Sequence, residues 1–367
     1  VSSAYLRGIR DFDAELALKA VIKNETGWEN RPIGVGKADV KTFLERGYAP
    51  QIKVNSQYET TSAGSKFSAS HTLEYSYSAY AASQFARELG KGNNYFGLND
   101  LSYGWENLWD GEVGFIRPND QNGEFLPDFN PSKAWHGFQE GNSWQYTFYV
   151  PHDPAGLIEK VGFDKFNQRL NVLFETAEKN HFGGGKKVDA FAGLGGVYNH
   201  GNQPSLHIAW LFNYSGQPWQ TQHWVRKISD VFYGIDQTHG YGYGQDEDQG
   251  QLGAWYVLAG MGLFDVQGGT STTPNLQIST PMFNKIKIKL HPDYFSGESF
   301  EISVKGSPSM QHYIQSAQFN GSPFNQNWLD WRNVIEGGKL ELEVSDKPNK
   351  KWGLDVVPPS RSESKVQ

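Results

Sequence analysis

Two acidic motifs in this 367-residue chain carry residue types suited to general acid–base chemistry. The first lies between Phe138 and Tyr146, where Glu140 sits among aromatic rings and amides. Such surroundings disfavour the charged carboxylate and suit a proton donor. The same position also fits a glutamate at a helix start, held by the helix dipole. The second motif is Asp246-Glu247-Asp248, inside a Gly-rich stretch from Tyr241 to Gln251. Adjacent carboxylates repel, so at least one pKa rises or a cation or donor lies close by. In an extended backbone Asp246 and Asp248 point the same way and can share one water. On spacing alone, a solvated acidic loop is the competing reading. An EF-hand is excluded, because Gly250 falls at the wrong offset and no Glu stands at position twelve.

A third segment, Tyr198 to His207, gathers amide and carbonyl oxygens in a tight loop of Gly201, Asn202, Gln203 and Pro204. Oxygen donors of this kind suit a hard cation such as Ca²⁺, with Asn202 and the nearby carbonyls as candidates. An Asx-type turn capping the following helix is the alternative use. Together the segments supply what glycoside hydrolysis requires: one protonated carboxyl, one ionised carboxylate, and groups to hold a distorted sugar.

The elements that must position these residues change character along the chain. Apolar residues recur at helical spacing from Ser68 to Leu89, from Pro154 to Lys179, from Pro218 to Tyr233 and from Gly250 to Leu263. Long Gly- and aromatic-rich loops join them, and such loops on a helical frame commonly carry binding sites. Beyond about Leu263 the period becomes two, at Lys285–Leu290, Ser299–Val304, Tyr313–Asn320 and Lys339–Val344. The predicted fold is therefore mainly α with β, ending in an antiparallel β region. The polar stretch from Pro358 to Gln367 is expected to be disordered.

Aromatic residues make up 14% of the chain, including twelve tryptophans, so the core is built largely from rings. Trp indoles also stack on sugar faces, although a large core uses them equally well. The net charge is −7 with no long basic run, which argues against a nucleic-acid groove. The absence of cysteine excludes disulfides and thiolate catalysis. No apolar run reaches the roughly 18 residues of a membrane helix.

The segment from Glu140 to Tyr146 with Val150 to Asp153, followed by Gly201 to Ser205, Asn213 to Trp219, and Asp246 to Gln251 with Ala254 to Tyr256, resembles the α-mannosidases of glycoside hydrolase family 92. The likeness reaches back to Gly47–Pro50 and Thr72–Tyr75, and forward to Ser279–Phe283, Tyr313–Ser316 and Pro348–Gly353. It thus covers nearly the whole chain, in order.

The resemblance implies calcium-dependent exo-acting enzymes that release mannose from glycans with inversion, exported to the periplasm or secreted. It implies an (α/α)6-barrel portion over residues 1–265, a C-terminal antiparallel β region over 266–357 and a polar tail over 358–367. It matches Glu140 to the general acid, and Asp246 and Asp248 to the carboxylates that activate water. Inversion asks for about 6.5–9.5 Å between acid and base. Asn202 and Gln203 fall in the segment that helps hold calcium, and Trp144, His200, Gln203 and Gln251 are expected substrate contacts. An N-terminal β-sandwich is the expected partner domain, so the chain is read as the C-terminal portion of a larger enzyme, or one needing a partner for the rest. The alternative is a non-catalytic carbohydrate-binding fragment of such an enzyme. Three departures stand out: Gln203 and Leu206-His207 stand where a glutamate and a histidine pair are usual, Ser78-Ala79 replaces an acidic pair, and the N-terminal β-sandwich and early barrel helices are expected to lie outside this chain. The first bears on leaving-group specificity.

Overall fold

The computed structural model describes residues 1–31, 35–37, 39–53, 60–61, 64–184, 193–234 and 250–362. The chain forms two compact units. The first comprises Val1–His152, Leu194–Val197 and Thr270–Thr272; the second comprises Asp153–Gly193, Tyr198–Gly269 and Thr273–Gln367.

In the first unit the helices are α1 (Ser2–Leu6), α2 (Ala14–Thr26), α3 (Val40–Arg46), α4 (Ser68–Glu88), α5 (Gly92–Leu101) and the single turn α6 (Ser143–Tyr146). Two short antiparallel pairs accompany them, β1 (Thr60–Thr61) with β2 (Gly64–Ser65) and β3 (Trp109–Asp110) with β4 (Phe115–Ile116). α2 starts where Asp13 accepts the amide of Leu16 at 2.9 Å, satisfying one of the open N–H groups of a helix start. α4 is 21 residues long and buries Leu73, Ala79, Tyr80 and Phe85, as its predicted spacing requires. Its start has no side-chain cap. Instead the carbonyl of Gly137 accepts from Ala69 and Ser70 at 3.0 and 3.2 Å.

The second unit begins with α7 (Pro154–Val161), α8 (Phe163–Glu178), α9 (Pro218–Phe232) and α10 (Gln251–Met261). The single helix expected from Pro154 to Lys179 is broken at Gly162, whose φ of +88° ends α7. The Gly162 carbonyl then accepts from Phe166 at 2.8 Å and opens α8. Apolar spacing continued through the break because both helices bury their stripes.

The strands β5 (Leu263–Phe264), β6 (Asn275–Ile278), β7 (Lys285–Lys289), β8 (Ser299–Lys305), β9 (Tyr313–Phe319), β10 (Ser322–Pro323), β11 (Trp328–Asp330) and β12 (Gly338–Ser345) follow, with the short helix α11 (Trp331–Ile335) between β11 and β12. Five strands form a sheet in the order β10-β9-β12-β8-β7, and three form another in the order β11-β6-β5. The expectation of a purely antiparallel region needs correction, since β12 pairs with β8 in parallel. Alternation tells which face is buried but not strand direction, and the stretch between β8 and β12 returns the chain to the same end. Phe300, Ile302, Ile314, Leu329, Leu340 and Leu342 fill the buried face. Lys285 and Lys287 lie on the solvated face, 3.7 and 3.4 Å from Glu301.

Residues 358–362 of the tail are more ordered than expected, and 363–367 lie outside the described residues. Asp153 caps α7 through Gly156 and receives the Ser360 and Ser362 hydroxyls at 3.0 and 2.8 Å and the Ser362 amide at 2.9 Å. Charge-assisted hydrogen bonds explain how a polar sequence is held here. Among the described residues no helix is long and apolar enough to cross a membrane. Leu340 is fully buried at the centre of the five-stranded sheet. Leu340→Ala is expected to lower unfolding free energy by about 2–5 kcal/mol, read from the chemical-denaturation midpoint; an unchanged midpoint would contradict this packing.

Candidate active site

Glu140 is exposed and sits on a short loop held under backbone strain. Trp135 and Glu140 both adopt positive φ, +62° and +52°, which costs a non-glycine residue on the order of 1–3 kcal/mol. The fixings that maintain it come from three sides. α4 takes the Gly137 carbonyl and also offers the Ser70 hydroxyl, which accepts the Gln139 amide at 2.7 Å. Tyr146 donates its hydroxyl to the Gln139 carbonyl at 2.7 Å. Asn142 accepts the Gln145 amide at 3.3 Å and donates to the carbonyls of Leu194 and Gly196 at 2.8 and 2.9 Å. Gly141 is required by space: a Cβ there would come within 2.7 Å of Gln145 and 2.8 Å of the Tyr146 ring. The sequence motif therefore consists of one exposed carboxylate flanked by residues that fix its backbone. Trp144, an expected sugar contact, is half-buried with its ring edge-on to Phe115 at 5.0 Å.

The same face of α4 bears a second carboxylate that the chemical reading of the sequence passed over. Ser70, Glu74 and Ser78 recur at i+4, with His71 and Tyr75 beside them. Lys37 ion-pairs with Glu25 and reaches Ser78 at 2.6 Å. Burial pulls the Lys37 amine below its ordinary pKa, against the pull of Glu25. Asp39 accepts from Tyr75 at 2.6 Å and pairs with His71 at 2.9 Å. Glu74 is open to water, yet enough protein surrounds it that desolvation raises its pKa; a hydrogen bond from Tyr149 and the charges of Lys37 and His71 oppose this. Tyr146 feels both Glu74 and Glu140, in that order after burial, and its hydroxyl is pushed above the usual tyrosine range. The motif Thr72–Tyr75 contained the only hint of Glu74.

In the second unit the segment 198–207 is a tight loop. Asn199 takes the Asx-turn role, accepting the Gly201 amide at 3.2 Å. Asn202 precedes the 3-10 turn Gln203–Ser205 without capping it, and is 7% exposed. The capping alternative for Asn202 therefore falls, and its carboxamide remains a hard oxygen donor. Gln203 is half-buried beside it, and among the described residues the buried Ser205 hydroxyl has no hydrogen-bond partner. This donor chemistry fits a hard cation. Among the described residues no cluster of three or more His, Asp or Glu could hold a metal ion.

His200 is fully buried, with Nδ1 at 2.8 Å from the Tyr198 hydroxyl and Nε2 at 2.9 Å from that of Tyr233. Its ring meets Trp255 edge-on at 4.3 Å. Burial lowers its pKa to about 3, so it is a neutral strut behind the loop. Both nitrogens are occupied, which leaves neither for the sugar contact expected of it. Gln251 opens α10 and is half-buried. Asp246 and Asp248 lie outside the described residues. A cavity of about 380 Å³ lined in part by Gly47, Tyr103 and Asn107 contains none of the expected site residues.

The family profile described as glycosyl hydrolase family 92 catalytic domain matches residues 1–346. The chain belongs to glycosyl hydrolase family 92. Solved structures agree. A family GH92 α-mannosidase of Bacteroides thetaiotaomicron is 28% identical, with a TM-score of 0.82 over 99% of this chain and 44% of its own. A family GH92 inverting mannosidase of Bacteroides thetaiotaomicron VPI-5482 is 29% identical, with a TM-score of 0.81 over 99% of this chain and 47% of its own. An uncharacterized secreted glycosidase of Arthroderma benhamiae is 27% identical over 98% of this chain and 46% of its length. The chain thus spans about half the length of the relatives it matches.

Two outcomes follow for this family 92 chain. Asn142→Ala removes a cap and two carbonyl contacts, and is expected to lower unfolding free energy by about 2–4 kcal/mol, as thermal melts of the variant would show. His200 is more acidic folded than unfolded, so the unfolded chain takes up the proton first. The stability it confers is complete above about pH 6.5 and is lost as pH falls towards about 3, a loss on the order of a few kcal/mol. His200→Gln should flatten that acid limb in urea-denaturation midpoints measured across pH; an unaltered limb would contradict the assignment.

Proposed function

We propose that this chain is part of an exo-acting glycosidase that removes terminal α-linked mannose from glycans with inversion. Membership of family 92 supports the reaction class, and the strained, triply held Glu140 is the observation that carries the assignment of the acid. On this reading Glu140 protonates the leaving oxygen, while Asp246 and Asp248 draw the proton from the attacking water. The Glu140 backbone conformation is fixed before substrate arrives, so little ordering is required at the moment of proton transfer.

Calcium is the proposed cofactor, held by Asn202 with Gln203; when bound it supplies a hard positive charge for sugar hydroxyls. Trp144 and Gln251 are proposed sugar contacts. The same reading takes 1–265 as a portion of an (α/α)6 barrel followed by the β region 266–357 and the tail 358–367. It also proposes an N-terminal β-sandwich as the complementary domain and export from the cytoplasm. That the solved relatives are mannosidases, one of them inverting, supports the reaction, and the secreted fungal relative supports export.

Glu140→Gln in the full-length protein is expected to lower kcat for an unactivated α-mannoside by about 10²–10⁴-fold, with calcium affinity retained. Chelation of the wild type should abolish mannose release, and added calcium should restore it. Unchanged turnover by the variant would remove Glu140 from the acid role, and activity that survives chelation would remove the metal.

A further inference from the structure

Glu74 has the setting of a group that meets a ligand rather than one that holds the fold. Among the described residues, Lys37 and His71 lie near Glu74 but pair with other carboxylates, Lys37 with Glu25 and His71 with Asp39. Glu74 accepts from the hydroxyl of Tyr149, and its side chain is exposed.

Its place relative to Glu140 is set by α4. Ser70, whose hydroxyl fixes the Gln139 amide, lies one helical turn before Glu74 on the same face, a rise of about 6 Å. Tyr146 closes the other side, since its hydroxyl holds the Gln139 carbonyl while its ring meets Tyr149 at 6.1 Å. Glu74, Gln139 and Glu140 are all exposed, and Tyr149 beside them is half-buried.

We infer that Glu74 is a substrate-binding carboxylate of the Glu140 site, accepting hydroxyls of the sugar ring while Tyr149 holds it in place. A carboxylate has two oxygens and about four lone-pair positions, so one bond from Tyr149 leaves room for two neighbouring sugar hydroxyls. The half-buried ring of Tyr149 supplies an apolar face that sugar C–H groups pack against. Because such bonds form with the ground-state sugar as well as the transition state, their loss falls mainly on KM.

This inference rests on the glycosidase reading, and the test separates the two. In the full-length protein, Glu74→Gln keeps size and shape but exchanges one acceptor for a donor. KM for an α-mannoside is expected to rise about ten- to hundredfold with kcat within a few-fold of wild type. Tyr149→Phe should move KM in the same direction by less, and provides the check if Glu74→Gln folds poorly. Calorimetric titration of the Glu140→Gln protein with mannose, glucose and galactose, with and without Glu74→Gln, reads binding without turnover. Sugar affinity lost with Glu74→Gln supports the inference. If the wild type releases no mannose but binds another of these sugars in a Glu74-dependent way, the mannosidase reading fails and this one stands. KM unchanged in both variants, sugar affinity unaffected by Glu74→Gln, or no binding of any of the three sugars would overturn it.

Discussion

The carbonyl of Gly137 against the amides of Ala69 and Ser70 is the contact on which the Glu140 region depends. A helix start leaves N–H groups without partners, and α4 brings no capping side chain of its own. The loop carrying Glu140 fills that need, while the helix in turn supplies the Ser70 hydroxyl that fixes Gln139. Each half satisfies the polar groups of the other, so neither relaxes alone. That reciprocity lets Trp135 and Glu140 remain in positive φ. It also sets Glu74 at a defined step from Glu140, because both are referred to one rigid helix.

Polar groups around α4 follow a related economy of pairing. Unpaired charges in an interior are strongly unfavourable, so burying Lys37 requires Glu25, and burying Asp39 requires His71 and Tyr75. These pairs hold Lys37 to Glu25 and His71 to Asp39, while the exposed Glu74 feels both electrostatically. In the second unit the loop at Asn202 is stiffened differently. The amide of His200 is taken by Phe182, and its ring is wedged between tyrosines and Trp255.

Much of this was legible in the sequence because it is local. Helices α4, α9 and α10 and strands β7, β8, β9 and β12 fall where periodicity placed them, within a residue or two. Glu140 was legible because its neighbours in sequence are its neighbours in space, with Gly141 and Asn142 shaping the turn. The break at Gly162 was not, since a stripe that stays buried through a kink reads as one helix. The parallel pairing of β12 with β8 was not, since alternation carries no direction. Glu74 escaped because its meaning depends on Tyr149, 75 positions away, and on cations that are occupied elsewhere. His200 looked like a sugar contact only until the hydroxyls of Tyr198 and Tyr233 were seen to saturate it.

The clasp at Asp153 bears on how the second unit is made. One carboxylate starts α7 and also holds Ser360 and Ser362, more than two hundred residues later. During synthesis the chain emerges at about 5–20 residues per second, so those serines arrive some ten to forty seconds after α7. Until then the Asp153 carboxylate has the short-range bond to Gly156, among the described residues. The helix that opens the second unit is thus finished by residues made some two hundred positions after it, and that closure must wait for them.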